Sequence, residues 1–273
     1  MRLKTAPTIH RLYGANMSLE GKVALITGAG RGIGPGIARV LAEKGMIVAV
    51  NARTESAEQT AAQLRALGLQ ATAFVADVSR KTEVEAMIER IEQELGPLWL
   101  LVNNAGLLRA APTVDLREED WDDVFAVDAK GVFLCAQAAI RRMMPRGAGR
   151  IVNIASIAGM IVRTKQIAYS SAKAATIHFS RCLAVEMAPY GITVNCLCPG
   201  MTRTEMLISS AAERGIDLAA VVDLIPSGRM AEPEDHAHLV AYFASLEAAQ
   251  VTGQVICVDG GQSQFMPMPT RKN

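Results

Sequence analysis

From Lys22 almost to the C-terminus, short runs of β-branched and aliphatic residues alternate with longer stretches in which apolar positions recur every three or four residues. The short runs predict strands at residues 23–27, 47–50, 71–75, 98–102, 150–154, 193–198 and 254–258. The longer stretches predict helices at about 33–43, 55–67, 81–95, 118–144, 168–188 and 233–246. Several strands are apolar at nearly every position, as strands covered by helices on both faces are. The alternation predicts an α/β protein with a doubly wound, seven-stranded parallel sheet flanked by helices. Residues 205–229 break the rhythm and read as a mobile flap. No repeat or composition shift marks a boundary, so residues 19–273 are expected to form one domain behind a flexible arm, residues 1–18.

Composition narrows the function classes. The formal net charge is +1, aromatic residues make up 4% of the chain, and no long basic run occurs, so the footprint of nucleic-acid binding is missing. No stretch of about 18 apolar residues exists that could span a membrane. Residues 1–17 carry Arg2, Lys4, His10 and Arg11 without an apolar core like that of a signal peptide, which makes the cytoplasm the expected location. The five cysteines, Cys135, Cys182, Cys196, Cys198 and Cys257, form no C-x-x-C pair and read as buried reduced thiols.

Chemistry enters at the first strand-to-helix junction, Thr27-Gly28-Ala29-Gly30-Arg31-Gly32-Ile33-Gly34. Glycines there permit positive φ and close backbone approach, while a helix N-terminus offers free N–H groups to a pyrophosphate. The run lacks the Lys-Ser/Thr ending of a nucleoside triphosphatase loop, so it points to a dinucleotide and to a Rossmann fold. The second strand ends Val50-Asn51-Ala52-Arg53, with no carboxylate to accept a ribose hydroxyl. Arg53 and Arg31 would instead clamp a 2′-phosphate, making NADP(H) the expected cofactor and NAD(H) the alternative. The histidines at 10, 178, 236 and 238 lie outside every motif; no H-E-x-x-H or G-x-S-x-G sequence occurs, and no metal is expected.

Three further elements follow in order: Asn103-Asn104-Ala105-Gly106 after the fourth strand, Ser156 after the fifth, and Tyr169-Ser170-Ser171-Ala172-Lys173 opening the next helix. With these, the chain resembles the short-chain dehydrogenase/reductase family over residues 19–262. The spacing suits the chemistry, since Tyr169 and Lys173 share a helical face and an ammonium beside a phenol favours the phenolate. The resemblance implies that Tyr169 exchanges a proton with the substrate oxygen, Ser156 holds that oxygen, and Lys173 activates Tyr169 and binds the nicotinamide ribose. It also assigns cofactor contacts to Gly28, Arg31, Gly32, Ile33, Gly34, Asp77, Val78, Asn104, Ala105 and Gly106, and to Pro199, Gly200, Thr202 and Thr204 over the nicotinamide and phosphates. Asp77 also reads as a plain helix cap and Pro199-Gly200 as a plain turn.

One departure stands out. The family usually places Asn in a V-N-x-x-G pattern, where it helps relay a proton from the lysine; here Val127-Asp128-Ala129-Lys130-Gly131 puts Asp128 in that position. The expected activity is NADP(H)-dependent hydride transfer between nicotinamide and a small ketone or secondary alcohol. The alternatives are a 3-oxoacyl-carrier-protein reductase, against which Tyr190 stands where a basic residue is usual, an NAD-dependent polyol or sugar-acid dehydrogenase, and a catalytically silent dinucleotide sensor. A homotetramer is implied, with residues 264–273 reaching a neighbouring subunit. Arg109, Arg163 and Lys165 would place three cations near one mouth and favour an anionic substrate; the neighbouring Met160, Ile161 and Met201 would favour an uncharged one.

Overall fold

The computed structural model describes residues 19–205, 207, 208, 211, 215 and 217–265. The expected arm, residues 1–18, most of the expected tail and part of the expected flap lie outside the described residues. The seven expected strands form as β1 (Val23–Ile26), β2 (Ile47–Ala52), β3 (Ala71–Val75), β4 (Leu98–Asn103), β5 (Gly149–Ile154), β6 (Ile192–Pro199) and β7 (Val255–Val258). They make one sheet in the order β3-β2-β1-β4-β5-β6-β7, every pair parallel.

Strand periodicity explains the two layers. Along β1, Ala24 and Ile26 point into one core with Val48, Val50, Leu100 and Val102, whereas Val23 and Leu25 join a second core with Ala49, Phe74 and Leu101. Helices α1 (Gly34–Glu43) and α2 (Ser56–Ala66) cover the first face, and α3 (Lys81–Glu94) covers the second. Because both faces are covered, the alternation a one-sided sheet would print in the sequence is absent, and the strands read as continuous apolar runs. The strand order reverses between β1 and β4, so the crevice at their carboxyl ends is where this architecture places a ligand.

The expected helix at 118–144 is corrected. It is divided into α4 (Glu118–Phe125), a π-helical turn (Ala126–Gly131), α5 (Val132–Met143) and a 3-10 turn (Met144–Arg146). Apolar spacing cannot reveal a π turn, because the one extra residue per turn shifts the face without interrupting helical propensity. Next come α6 (Ile167–Met187), the short α7 (Leu218–Val222), inside the segment expected to be a flap, and α8 (Pro233–Ala244). The cysteine expectation also needs correction: Cys135, Cys196 and Cys198 are buried, but Cys182 is exposed and Cys257 is partly so. Cys182 lies off the α6 face that buries Ile177, Ser180, Leu183 and Ala184, and Cys257 sits on the edge strand β7. Among the described residues no helix is long and apolar enough to cross a membrane.

Candidate active site

The glycine turn is shaped by contacts that leave no room for side chains. Gly28 has φ +62°, and a Cβ there would come within 2.6 Å of Ala105 Cα; a Cβ on Gly34 would lie 2.5 Å from Ala29 Cα. Cross-strand hydrogen bonds hold the turn in place. Thr27 Oγ1 accepts the N–H groups of Asn104 and Ala105 at 3.0 and 3.1 Å, and Asn104 Nδ2 donates to the carbonyls of Thr27 and Gly28 at 2.9 and 3.2 Å. The Asn104 side chain is thus a brace between β4 and the glycine turn. Asn51 braces the other side, donating from Nδ2 to the carbonyls of Phe74 and Ala76 while Oδ1 accepts from Gly28 N. Motif reading missed Asn51, although a polar residue inside an apolar strand was the available signal.

Between these braces lies a cleft of about 390 Å³ lined by Gly28, Arg31, Arg53, Asp77, Val78, Ala105 and Gly106, with Thr54 and Ser56 beside Arg53. Gly32 and Ile33 carry the turn into α1. Arg31 and Arg53 are exposed, and neither belongs to an ion pair among the described residues. The Asp77 carboxylate accepts from Ser79 N and Oγ at 2.9 and 2.7 Å. Burial raises its pKa, but the bonds from Ser79 and the nearby Arg53 outweigh burial and leave it below the ordinary aspartate value.

The proton-bearing groups lie past the ends of β4 and β5. Ser156 follows β5, and its Oγ accepts the N–H of Ala158 at 3.1 Å, capping a 3-10 turn (Ile157–Gly159). This turn packs directly on α6, since a Cβ on Gly159 would lie 2.8 Å from the Lys173 carbonyl carbon and Ala174 N. Tyr169 occupies the first turn of α6, with its ring centroid 5.5 Å from Lys173 Nζ. Lys173 is buried; its Nζ donates to the Ile154 carbonyl at 3.1 Å and lies 3.1 Å from Asp128 Oδ2, an ion pair whose geometry falls short of a hydrogen bond. Asp128 Oδ1 accepts from Leu107 N at 2.7 Å, and its carbonyl accepts from Thr176 Oγ1 at 2.7 Å.

The π turn therefore ties Lys173 of α6 to the backbone that follows Gly106. A Cβ on Gly106 would press on the Asp128 carboxylate and Lys173 Nζ at 3.2 and 3.4 Å. Burial disfavours both charges. At Lys173 the carboxylate of Asp128, with Tyr169 behind it, overcomes burial and holds the ammonium above the ordinary lysine value. At Asp128 burial prevails over Lys173 and the Leu107 N–H, and its pKa is raised.

On the far wall, Pro199 ends β6 and Gly200 N donates to Val258 O at 3.0 Å. The Thr202 hydroxyl is engaged internally, donating to Gly200 O at 3.1 Å and meeting His236 Nε2 at 2.8 Å. Thr204 Oγ1 accepts from Leu207 N at 3.2 Å. His178 and His238 are exposed, and His236 is buried, its pKa pulled down to about 4 by loss of solvent. The three expected cations have different fates. Arg109 pairs with Asp120 at 3.2 Å, Lys165 is exposed, and Arg163 is half-buried with Nη1 3.6 Å from Met201 Sδ.

Comparison with known proteins identifies the family of the chain. Residues 22–215 match the family model described as short chain dehydrogenase. A 2,3-dihydro-2,3-dihydroxybenzoate dehydrogenase of Bacillus subtilis is 40% identical over 251 residues, covering 89% of this chain and 96% of that protein. A 3-oxoacyl-acyl-carrier-protein reductase of Vibrio cholerae is 38% identical over 245 residues, covering 90% and 98%. The crystal structure of a gluconate 5-dehydrogenase from Burkholderia cenocepacia, in complex with NADP and tartrate, superposes with a TM-score of 0.86 at 35% identity, covering 92% of this chain and 98% of that one.

Proposed function

Because the chain belongs to the short chain dehydrogenase family and is an NAD(P)-dependent oxidoreductase, we propose that it reduces the keto group of a 3-oxoacyl compound with NADP(H), with Ser156, Tyr169 and Lys173 as its catalytic residues. The observation that carries the reading is the packing of the Ser156 turn against α6 at Lys173, with Tyr169 one turn earlier on the same helix face. A 3-oxoacyl substrate is favoured over a simple ketone because several of the curated relatives, the Vibrio cholerae protein among them, are 3-oxoacyl-acyl-carrier-protein reductases.

The residues fit a dinucleotide. Glycines 28 and 34 keep open a cradle that a Cβ would fill, and Arg31 and Arg53, outside every ion pair among the described residues, line the cleft where a 2′-phosphate would lie. NADP is also what the gluconate 5-dehydrogenase structure contains. The nicotinamide, when bound, supplies or accepts the hydride at the substrate carbon. Tyr169 gives its phenolic proton to the carbonyl oxygen as the hydride arrives, and Ser156 Oγ donates a hydrogen bond to the same oxygen. Lys173, fixed by Ile154 O and Asp128, places a positive charge beside the phenolate that remains. In the oxidative direction the proton moves the opposite way. Asp77, Val78, Asn104, Ala105 and Gly106 border the adenosine end, and Pro199, Gly200, Thr202 and Thr204 border the nicotinamide end.

A panel assayed with both cofactors tests the reading: 3-oxoacyl thioesters, 3-oxo acids and esters, simple ketones, and polyols or sugar acids in the oxidative direction. The highest kcat/KM is expected for one of the 3-oxo compounds, acid, ester or thioester, with NADPH. Highest values for a sugar acid with NAD would instead establish a polyol-type dehydrogenase. The homotetramer implied by family membership is part of the proposal and is checked by light scattering after gel filtration.

A further inference from the structure

Most arginines among the described residues have settled partners, Arg80 with Glu83 at 3.6 Å among them. Arg39, Arg65, Arg90, Arg109, Arg117, Arg141, Arg146, Arg203 and Arg229 each meet a carboxylate within 4.0 Å. Arg150, which is buried, donates to the carbonyls of Gly149 and Ser245 and lies 4.7 Å above the Trp99 ring. Arg163 differs from all of them. Its guanidinium is half-buried, yet among the described residues it meets no carboxylate and no carbonyl, only the thioether of Met201. A thioether is a weak acceptor, so four or five fixed N–H donors are left in a partly desolvated setting, an arrangement that costs free energy unless an acceptor arrives. Burial pulls the pKa of this group down, and the nearby Tyr169 opposes that shift.

Its position is set by the loop. Lys165 adopts φ +62°, a left-handed conformation unusual for a residue with a side chain, and its carbonyl accepts from Ala111 N at 3.0 Å. That bond ties the Ser156-to-Tyr169 loop to the segment following Gly106. The loop then sends Lys165 to solvent and Arg163 across to Met201, on the wall that begins at Pro199-Gly200. Arg109, the other candidate at this mouth, is neutralised by Asp120 and Asp123.

We propose that Arg163 is a specificity-determining residue that binds a carboxylate on the carbonyl substrate, so that the favoured substrate is the free 3-oxo acid, or the corresponding hydroxy acid in reverse, rather than its neutral ester or thioester. This rests on the reductase reading above. The reaction is unchanged in its balance: hydride to the carbonyl carbon, a proton from Tyr169 to its oxygen, and a spectator carboxylate held by the guanidinium in a charge-assisted, two-point hydrogen bond.

The test compares 3-oxobutanoate with methyl 3-oxobutanoate, a pair of similar size, using NADPH at low and high salt. The wild-type chain is expected to favour the acid in kcat/KM by about 10- to 100-fold, the range of a charge-assisted hydrogen bond. In Arg163→Gln the acid-to-ester ratio should fall to about one, and Arg163→Lys should keep part of it. Equal wild-type values, or an acid preference that survives Arg163→Gln, would overturn the proposal. A second arm needs no turnover: succinate, which has neither carbonyl nor hydroxyl, is titrated calorimetrically into the NADP-saturated protein. Affinity at least about 10-fold weaker in Arg163→Gln supports the site, and equal affinity in both proteins, or no binding to the wild type, overturns it. If neither oxo compound is reduced, the 3-oxoacyl reading fails while the succinate arm still decides the role of Arg163.

Discussion

The two sides of the crevice are built differently. On the side proposed for the cofactor, the side chains that brace the glycine turn are bonded within the chain: Asn51, Asn104 and Thr27 link β1, β2, β3 and β4 by hydrogen bonds, and Gly28 and Gly34 leave no space for a Cβ. On the side of Ser156 and Arg163 the walls come from loops, and these two side chains have few partners among the described residues. The Ser156 hydroxyl accepts one backbone N–H, and Arg163 meets only a thioether. The first side has its bracing bonds satisfied within the chain and offers Arg31 and Arg53, outside every ion pair among the described residues, to a ligand. The second side leaves donors for a ligand whose identity the fold does not fix. The Asp128–Lys173 pair is the strut between them, because one carboxylate grips both the backbone after Gly106 and the ammonium of Lys173 on α6.

The contrast is broken most sharply by Tyr169→Phe, which alters the carbonyl side alone. Removing the proton donor is expected to lower kcat by at least about 10²- to 10⁴-fold, while NADPH binding, followed by nicotinamide fluorescence, stays near the wild-type value. Retained turnover would show that another group moves the proton. Asp128→Ala attacks the strut. It strips the counter-ion from a buried ammonium and the acceptor from Leu107 N, so urea unfolding should report a loss of about 3 kcal/mol. Asp128→Asn keeps an acceptor for Leu107 and should recover part of that loss. A smaller effect falls on the cofactor side alone. Arg53→Ala or Arg31→Ala should raise the KM for NADPH about 10-fold through the lost contact with the 2′-phosphate, with a much smaller change for NADH. A wild-type kcat/KM higher with NADH would mean that these arginines serve the solvent.

The same division decides what could be read from the chain before folding. Glycine spacing, the N-N-A-G run, Ser156 and the Tyr-x-x-x-Lys pair are local, and each keeps its meaning because strand-to-helix junctions fix the backbone within a few residues. Long-range pairings leave no local trace. Nothing near Arg109 shows that Asp120 will neutralise it, and nothing near Arg163 shows that it will cross to Met201, 38 positions later. The π turn at Ala126–Gly131 was hidden for another reason: nothing in its residue types separates a π turn from an α turn, and only the folded chain shows Asp128 meeting Lys173 there. Asn51 lay in plain view as a polar residue in an apolar strand, but its role depends on the carbonyls of Phe74 and Ala76, which only the sheet brings near.

The floor beneath the two sides offers the smallest test. His236, on α8, is fully buried, with Nε2 2.8 Å from the Thr202 hydroxyl and Nδ1 without a hydrogen-bond partner among the described residues. Burial lowers its pKa from 6.5 to about 4, with Asp235 opposing. The unfolded chain therefore begins to take up this proton as the pH falls through 6.5, while the folded chain stays neutral until about 4. The stability this histidine contributes is complete above 6.5 and declines by about 1.4 kcal/mol per pH unit between the two values. Asp235, whose pKa is held down to about 2 by Arg229, contributes through a separate window below the ordinary aspartate value of 3.8. Urea unfolding at pH 7 and pH 5 separates the two. Between those conditions the wild type should lose about 2 kcal/mol more than His236→Gln, whose neutral amide can still meet Thr202. An identical loss in both proteins would mean that His236 takes up its proton within the fold. The wall carrying Thr202 would then be as open to solvent as the loop carrying Arg163, and the contrast between a closed floor and an open mouth would not hold.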